Sequence, residues 1–230
     1  MSCILNIETS TNVCSVALSE NGACIYEQED HSGPNHGERL GTFVDEALSF
    51  ADSHAIPVDA VAVSSGPGSY TGLRIGTSMA KGICCGIDVK LIAVPTLELL
   101  CVPVLLRHEE MEENALLVPM LDARRMEVYA QVFDRALKEV RPIQADVVDE
   151  NTYREYLDKG PVYFFGNGAE KCMDVINHPN AYLIKGVEPL AKNMQPLAEK
   201  RLALEQFEDV AYFVPMYLKD FVAKQAKPLL

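Results

Sequence analysis

The sequence predicts a duplicated α/β fold: two lobes, each a mixed sheet covered by helices. Three observations point there. The order strand, strand, strand, helix, strand, helix, strand, helix is read twice along the 230 residues. The later strands in each half alternate with helical stretches, the pattern of parallel strands joined by helical crossovers. The composition, 48% apolar and 23% charged, is that of a globular chain long enough to bury a sizeable core.

The elements follow in order. Residues 3–8 (CILNIE) and 13–19 (VCSVALS) are short apolar strands. Asn21-Gly22 then supplies a tight hairpin turn into a third strand over 23–30 (ACIYEQED). Asn35 and Glu38 have the spacing of a capping box. The helix that follows, 36–51, carries Leu40, Phe43, Val44, Ala47, Leu48 and Ala51 at the i, i+3, i+4, i+7 spacing of one apolar stripe. Residues 59–64 form a strand, 72–86 a helix and 90–94 a strand, after which Thr96 is expected to cap another helix. In the second half, strands are expected over 115–121, 126–133 and 140–148. Helix 150–158, strand 162–165, helix 169–176, strand 182–184 and a long helix over 188–207 complete it. An N-terminal lobe of residues 1–100 and a C-terminal lobe of 101–230 result, with the C-terminal segment packing back on the first lobe as an open alternative. The cleft between such lobes is the default place for a ligand.

Composition excludes several classes. No apolar run reaches the roughly 20 residues that span a bilayer, and "MSCILNIETSTN" lacks the basic flank of a signal peptide. A cytoplasmic protein without membrane contact is expected. The seven cysteines, Cys3, Cys14, Cys24, Cys84, Cys85, Cys101 and Cys172, form no C-x-x-C and read as free thiols in a reducing compartment. With 33 acidic against 20 basic residues the net charge is −13. Nucleic acids are held largely by Lys and Arg on phosphates, so tRNA or any other nucleic acid is expected to be reached only through partners.

The most distinctive stretch is "SSGPGSYTGLRIG". A P-loop needs G-x-x-x-x-G-K-[ST], but Leu73 follows Gly72 where Lys belongs. Gly66, Gly68 and Gly72 form G-x-G-x-x-x-G, one residue too long for a dinucleotide fingerprint. What survives is the generic anion site at a helix start, with Arg74 in the first turn. The helix offers a second reading. Gly72, Gly76 and Ala80 recur every four residues, a small-residue face that lets another backbone approach closely. Candidate nucleotide contacts are Thr9 and Ser10 in the first hairpin, Gly66 and Gly68, and Gly166 and Gly168 in the second half. The turn Glu8-Thr9-Ser10-Thr11 lacks the glycine usual where such a hairpin meets phosphate. His108-Glu109-Glu110-Met111-Glu112 has Glu where H-E-x-x-H needs its second His, and reads as a solvated acidic helix end. His31 and His36 have no third ligand pattern, and Asp122-Ala123-Arg124-Arg125 reads as a charged turn with Asp122 a weaker ligand candidate. No metal site is expected.

The stretches "LNIETSTNVCSVAL", "SSGPGSYTGLRIGTSMAKGI", "VPTLELL", "MLDARRMEVYAQVF" and the late "VPMYLKD" resemble the TsaB (YeaZ) family. That family is a non-catalytic subunit of the bacterial machinery making tRNA threonylcarbamoyladenosine. The resemblance implies an actin-like ATPase (ribonuclease H-like) fold and a TsaD-like catalytic partner, with a TsaE-like ATPase in the assembled complex. TsaD carries an H-x-x-x-H metal pair on the helix after the strand that follows the glycine loop. This chain has "AVPTLELLCVPVL" there, without histidine. The resemblance therefore implies a chain that catalyses nothing itself and requires no cofactor of its own, with ATP or ADP left open at the cleft or at a partner junction. It also implies binding to TsaD, and a homodimer in isolation, through two N-lobe helices. The matching positions are His36, Leu40, Phe43, Val44 and Ala47 on one, and Gly72, Leu73, Gly76, Met79, Ala80 and Ile83 on the other. An ATP-dependent transferase or small-molecule kinase working through its own cleft is the alternative from another class.

Overall fold

A computed structural model describes residues 2–108 and 110–219. Glu109 of the acidic helix end and the residues from Asp220 onward, including the last of "VPMYLKD", lie outside the described residues.

The first sheet is built from β1 (Cys3–Glu8), β2 (Cys14–Glu20), β3 (Ala23–Asp30), β4 (Ala60–Ser64) and β5 (Lys90–Val94), in the order β3-β2-β1-β4-β5. The second comprises β6 (Leu116–Asp122), β7 (Glu127–Phe133), β8 (Glu139–Val147), β9 (Val162–Phe165) and β10 (Ala181–Ile184), in the order β10-β9-β6-β7-β8. Counted from its own first strand, each sheet has the order 3-2-1-4-5. In each, strands one to three form an antiparallel meander and strands four and five join parallel. This repeated topology is the duplicated actin-like ATPase, or ribonuclease H-like, fold.

Period-two alternation explains why the first sheet reads as continuous apolar runs: both faces are covered. Leu5, Ile7, Val61, Val63 and Leu91 face α1 (His36–Ser53) and α2 (Tyr70–Ile87). Ile4, Ala60, Ala62, Ile92 and Val94 face the opposite layer, where α3 (Thr96–Arg107) contributes Leu99 and Val102. α3 turns Leu97, Leu100, Cys101 and Val104 toward Leu117, Leu121, Phe133 and Phe165 of the second sheet. One helix thus lies between the two sheets, which accounts for its apolarity all round.

The second half departs from its expected helices. The helix over 150–158 contracts to α4 (Arg154–Leu157). Ahead of it, Asp149 and Thr152 side chains hold local backbone groups in a turn. The helix over 169–176 ends at Cys172, giving α5 (Ala169–Cys172). The long helix over 188–207 is a 3₁₀ turn, Ala191–Met194, continuing into α6 (Gln195–Ala203). Pro196 sits in the first turn of α6, where a missing N–H costs nothing, and Glu205 in the left-handed region marks its end. The expected caps also differ. Asn35 makes no side-chain cap and instead donates its amide to Ser32 Oγ, while Pro95 rather than Thr96 occupies the cap of α3.

From Ala191 the chain returns to the first sheet. Ala191 N donates to Ser15 Oγ (3.0 Å), Arg201 pairs with Glu98 (2.5 Å), and Ser2 Oγ donates to Glu199 (3.0 Å). Glu208 bridges Leu91, and Val210 and Phe213 join the core under α2. Lys81 Nζ donates to the carbonyls of Ala211 (3.0 Å) and Phe213 (3.1 Å). The sequence halves and the packed layers therefore part company over the last described thirty or so residues.

Candidate functional site

The turn after β1 is pressed into the glycine loop and α2. Thr9 is fully buried and its hydroxyl donates to the Gly72 carbonyl (2.8 Å). Ser69 N donates to the Ser10 carbonyl (2.7 Å), and Ser69 Oγ caps α2 by accepting from Gly72 N (3.2 Å). A Cβ at Gly68 would collide with the Ser10 carbonyl, at Gly72 with the Thr9 carbonyl, and at Gly76 with the Thr9 hydroxyl. Glycine is required at these three positions because the hairpin fills the space, with its backbone at Gly68 and Gly72 and with the Thr9 side chain at Gly76. This settles the purpose of the small-residue face: the close approach is intrachain.

Several sequence-expected site residues are therefore reassigned. Thr9, Gly66, Gly72 and Gly76 are packing positions; Gly66 lies against the Met216 carbonyl. Gly166 and Gly168 are likewise pressed against the Met120 and Leu121 backbone at the end of β6. Leu40, Val44, Ala47, Leu73 and Ala80, with Phe43, are buried in the chain's own core. His36 is buried, its Nε2 donating to the Thr11 carbonyl (2.8 Å). Met79 and Ile83 are half-buried at the edge of the core and keep an outward aspect. They share α2 with Ile75, Gly82 and Gly86. Gly82 and Gly86, and Gly37 and Gly41 on α1, have open space where a Cβ would stand.

Glu8 ends β1 fully buried beneath the turn. Its Oε1 accepts from Ser10 N (2.5 Å). Burial pushes its carboxyl up to about 7, against the lowering effect of hydrogen bonds from Ser10, Ser64 and Thr9.

Between the sheets opens a cleft of about 610 Å³. Ser10, Thr11 and Asn12 line it from the first hairpin, and residues 67–71 from the glycine loop. Leu121 to Arg124, Tyr129 and Asn167 line it from the second lobe, and Met216 to Lys219 from the returning chain. Asn167 Oδ1 accepts from Asp122 N (2.9 Å), tying the loop after β9 to the turn after β6. Of the sequence-expected nucleotide contacts, Ser10 and Gly68 reach this cleft. Asn167, within the Gly166-Asn167-Gly168 stretch that the sequence offers as a helix cap or an adenosine contact, reaches this cleft, as does the segment 216–219 within "VPMYLKD", which the sequence marks only by its family resemblance and not as a cleft wall.

Comparison with known proteins closes the identification. Residues 30–227 match the family model TsaD: tRNA N6-adenosine threonylcarbamoyltransferase. The tRNA threonylcarbamoyladenosine biosynthesis protein TsaB of Haemophilus influenzae is 31% identical, over 79% of this chain and 70% of that protein. The protein of the same name from Bacillus subtilis is 30% identical over 94% of this chain and 93% of its own length. YeaZ from Pseudomonas aeruginosa superposes with a TM-score of 0.80 at 24% identity, over 95% of this chain and 100% of that one, and so shares the fold. With the repeated sheets, the packed glycine loop and these relatives together, the chain belongs to the TsaB (YeaZ) family of tRNA threonylcarbamoyladenosine biosynthesis proteins.

Proposed function

We propose that this chain is a non-catalytic subunit that binds and supports a TsaD-like threonylcarbamoyltransferase through the outward faces of α1 and α2. The observation that carries the reading is the surface of α2. Ile75, Met79 and Ile83 are only half-buried, and Gly82 and Gly86 beside them leave room for a second backbone. Half-exposed apolar side chains next to open glycines suit close helix packing. The character of α3 supports the non-catalytic part. Leu97, Leu100, Cys101 and Val104 are buried among apolar side chains of the second lobe, on the helix that holds a histidine pair in the resembled catalytic relative. Among the described residues no three His, Cys, Asp or Glu side chains are grouped to hold a metal, and no helix is long and apolar enough to cross a membrane. In this reading the protein is cytoplasmic, forms a homodimer through the same helices when alone, joins a TsaE-like ATPase in the assembled complex, and meets tRNA only through partners.

The test is to purify the chain alone and with its TsaD-like partner and to measure threonylcarbamoyl transfer to tRNA in each. Transfer is expected only with the partner. Gly82→Leu should leave the chain folded and weaken the complex, since the substituted position faces open space in the free chain. Turnover by the isolated chain, or an unaffected complex with Gly82→Leu and Met79→Glu, would favour the alternative of a transferase or kinase acting through its own cleft.

A further inference from the structure

We propose that residues 214–219 form a releasable strap over the cleft, anchored to the first lobe behind Phe213 and clamped to the second by the pairing of Lys219 with Glu127. The returning chain changes character at Phe213. Up to that point it is built into the lobe. Glu208 N donates to the Leu91 carbonyl (2.9 Å), Val210 and Phe213 pack into the core, and Lys81 Nζ holds the carbonyls of Ala211 and Phe213. Pro215 then fixes the backbone and keeps Val214 out of helical geometry. Beyond it the chain passes over the glycine loop and along the cleft wall in neither helix nor strand.

The strap's fastenings are few and partly exposed. Among the described residues, its one backbone–backbone bond runs from Met216 N to the Ser65 carbonyl (2.7 Å). Tyr217 lies against Tyr70 at the start of α2, with ring centres 4.7 Å apart. Lys219 pairs with Glu127 at the start of β7, and this contact reaches the second lobe. Val214 is 72% exposed and Met216 49%. Few buried apolar contacts and an exposed backbone bond mark a segment that opens locally while the core stays folded. An exposed ion pair contributes little and is screened by salt, so this clamp suits repeated opening better than permanent closure. Met216 to Lys219 line the cleft together with the glycine loop and Leu121 to Arg124. Release of the strap therefore removes one wall of the cleft and one tie between the lobes, and it leaves both cores intact.

The experiment uses the purified full chain, labelled at its methionine nitrogens, and needs no partner. Hydrogen exchange of the Met216 amide reports the strap, because that N–H is the one bonded to Ser65. Lys219→Met and Glu127→Gln should each speed its exchange by roughly two- to fivefold, the worth of an exposed ion pair. Tyr217→Ser, which removes the ring contact, should speed it by up to about tenfold. The swapped pair, Lys219→Glu with Glu127→Lys, should return the rate to that of the wild type, which a local disturbance by either substitution would not do. Added salt should speed exchange in the wild type and leave Lys219→Met unchanged. The Met120 amide, buried in β6, should keep its protection in every variant. An unaltered Met216 rate in both single variants, or a swap that restores nothing, overturns the clamp. Met216 exchange as fast as in an unstructured peptide, or exchange only in step with Met120, overturns the strap itself.

Discussion

The hydroxyl of Thr9 stands where the β-carbon of any residue but glycine at position 76 would have to be. A hairpin turn from one end of the N-terminal lobe and the second turn of α2 are thereby locked together, with the Thr9 hydroxyl held on the Gly72 carbonyl.

That contact makes position 76 a stability site. Gly76→Leu should lower the unfolding free energy by about 1–3 kcal/mol or more, the usual range for overpacking, and should do so in the isolated chain. Gly82→Ala is the contrast. Its β-carbon meets nothing within 4 Å, and replacing glycine within a helix is expected to stabilise by about 0.5–1 kcal/mol. Urea denaturation of both variants checks the pair; equal midpoints would refute the packing assigned to Gly76.

Glu8 should make stability fall with rising pH. Its folded-state value of about 7 lies above the ordinary 4.5, so the fold favours the protonated form. The contribution is complete below the unfolded value and is lost as pH rises through about 7. The difference amounts to roughly 3 kcal/mol between the two limits. Glu8→Gln, which cannot ionise, should therefore gain on the wild type between pH 5 and pH 8. Parallel stability curves across that interval would contradict the assignment.

In the second lobe Asp146 accepts from the Tyr153 hydroxyl (2.6 Å) and pairs with Arg141 (2.5 Å), both side chains being largely buried. Breaking such a pair leaves an uncompensated charge, so Asp146→Ala should cost about 3–5 kcal/mol. Thermal denaturation measures it, and replacing Arg141 and Asp146 together with apolar residues should recover part of the loss.

Lys81 is the tie between α2 and the returning chain. Lys81→Met keeps the stem and removes the donor to the Ala211 and Phe213 carbonyls. Hydrogen exchange around residues 211–216, and cleavage there by a protease, should both quicken while β1 and β4 stay protected. Unchanged exchange would show that Val210, Phe213 and Pro215 hold the segment by packing alone.

Sequence by itself determined the repeat of elements, all ten strands to within about two residues, the first three helices, and which face of 36–51 is apolar. These are written in short-range periodicity, and an apolar stripe must be buried whatever covers it. The occupant of that buried side was decided only in three dimensions. The stripe of Leu40, Phe43, Val44 and Ala47, and the small face of Gly72, Gly76 and Ala80, read equally well as a surface for a partner. Tertiary structure gave them to β-strands and to the Thr9 turn, more than sixty residues away from Gly76 in sequence. The same holds for the cleft. Arg124, Ser10 and Met216 come together from three distant segments, and no local pattern encodes a distance between them. The caps and short helices of the second half were misjudged for a related reason. At Asn35, Asp149 and Thr152, side-chain hydrogen bonds to nearby groups competed with the helical ones, and that balance is set by the surrounding chain.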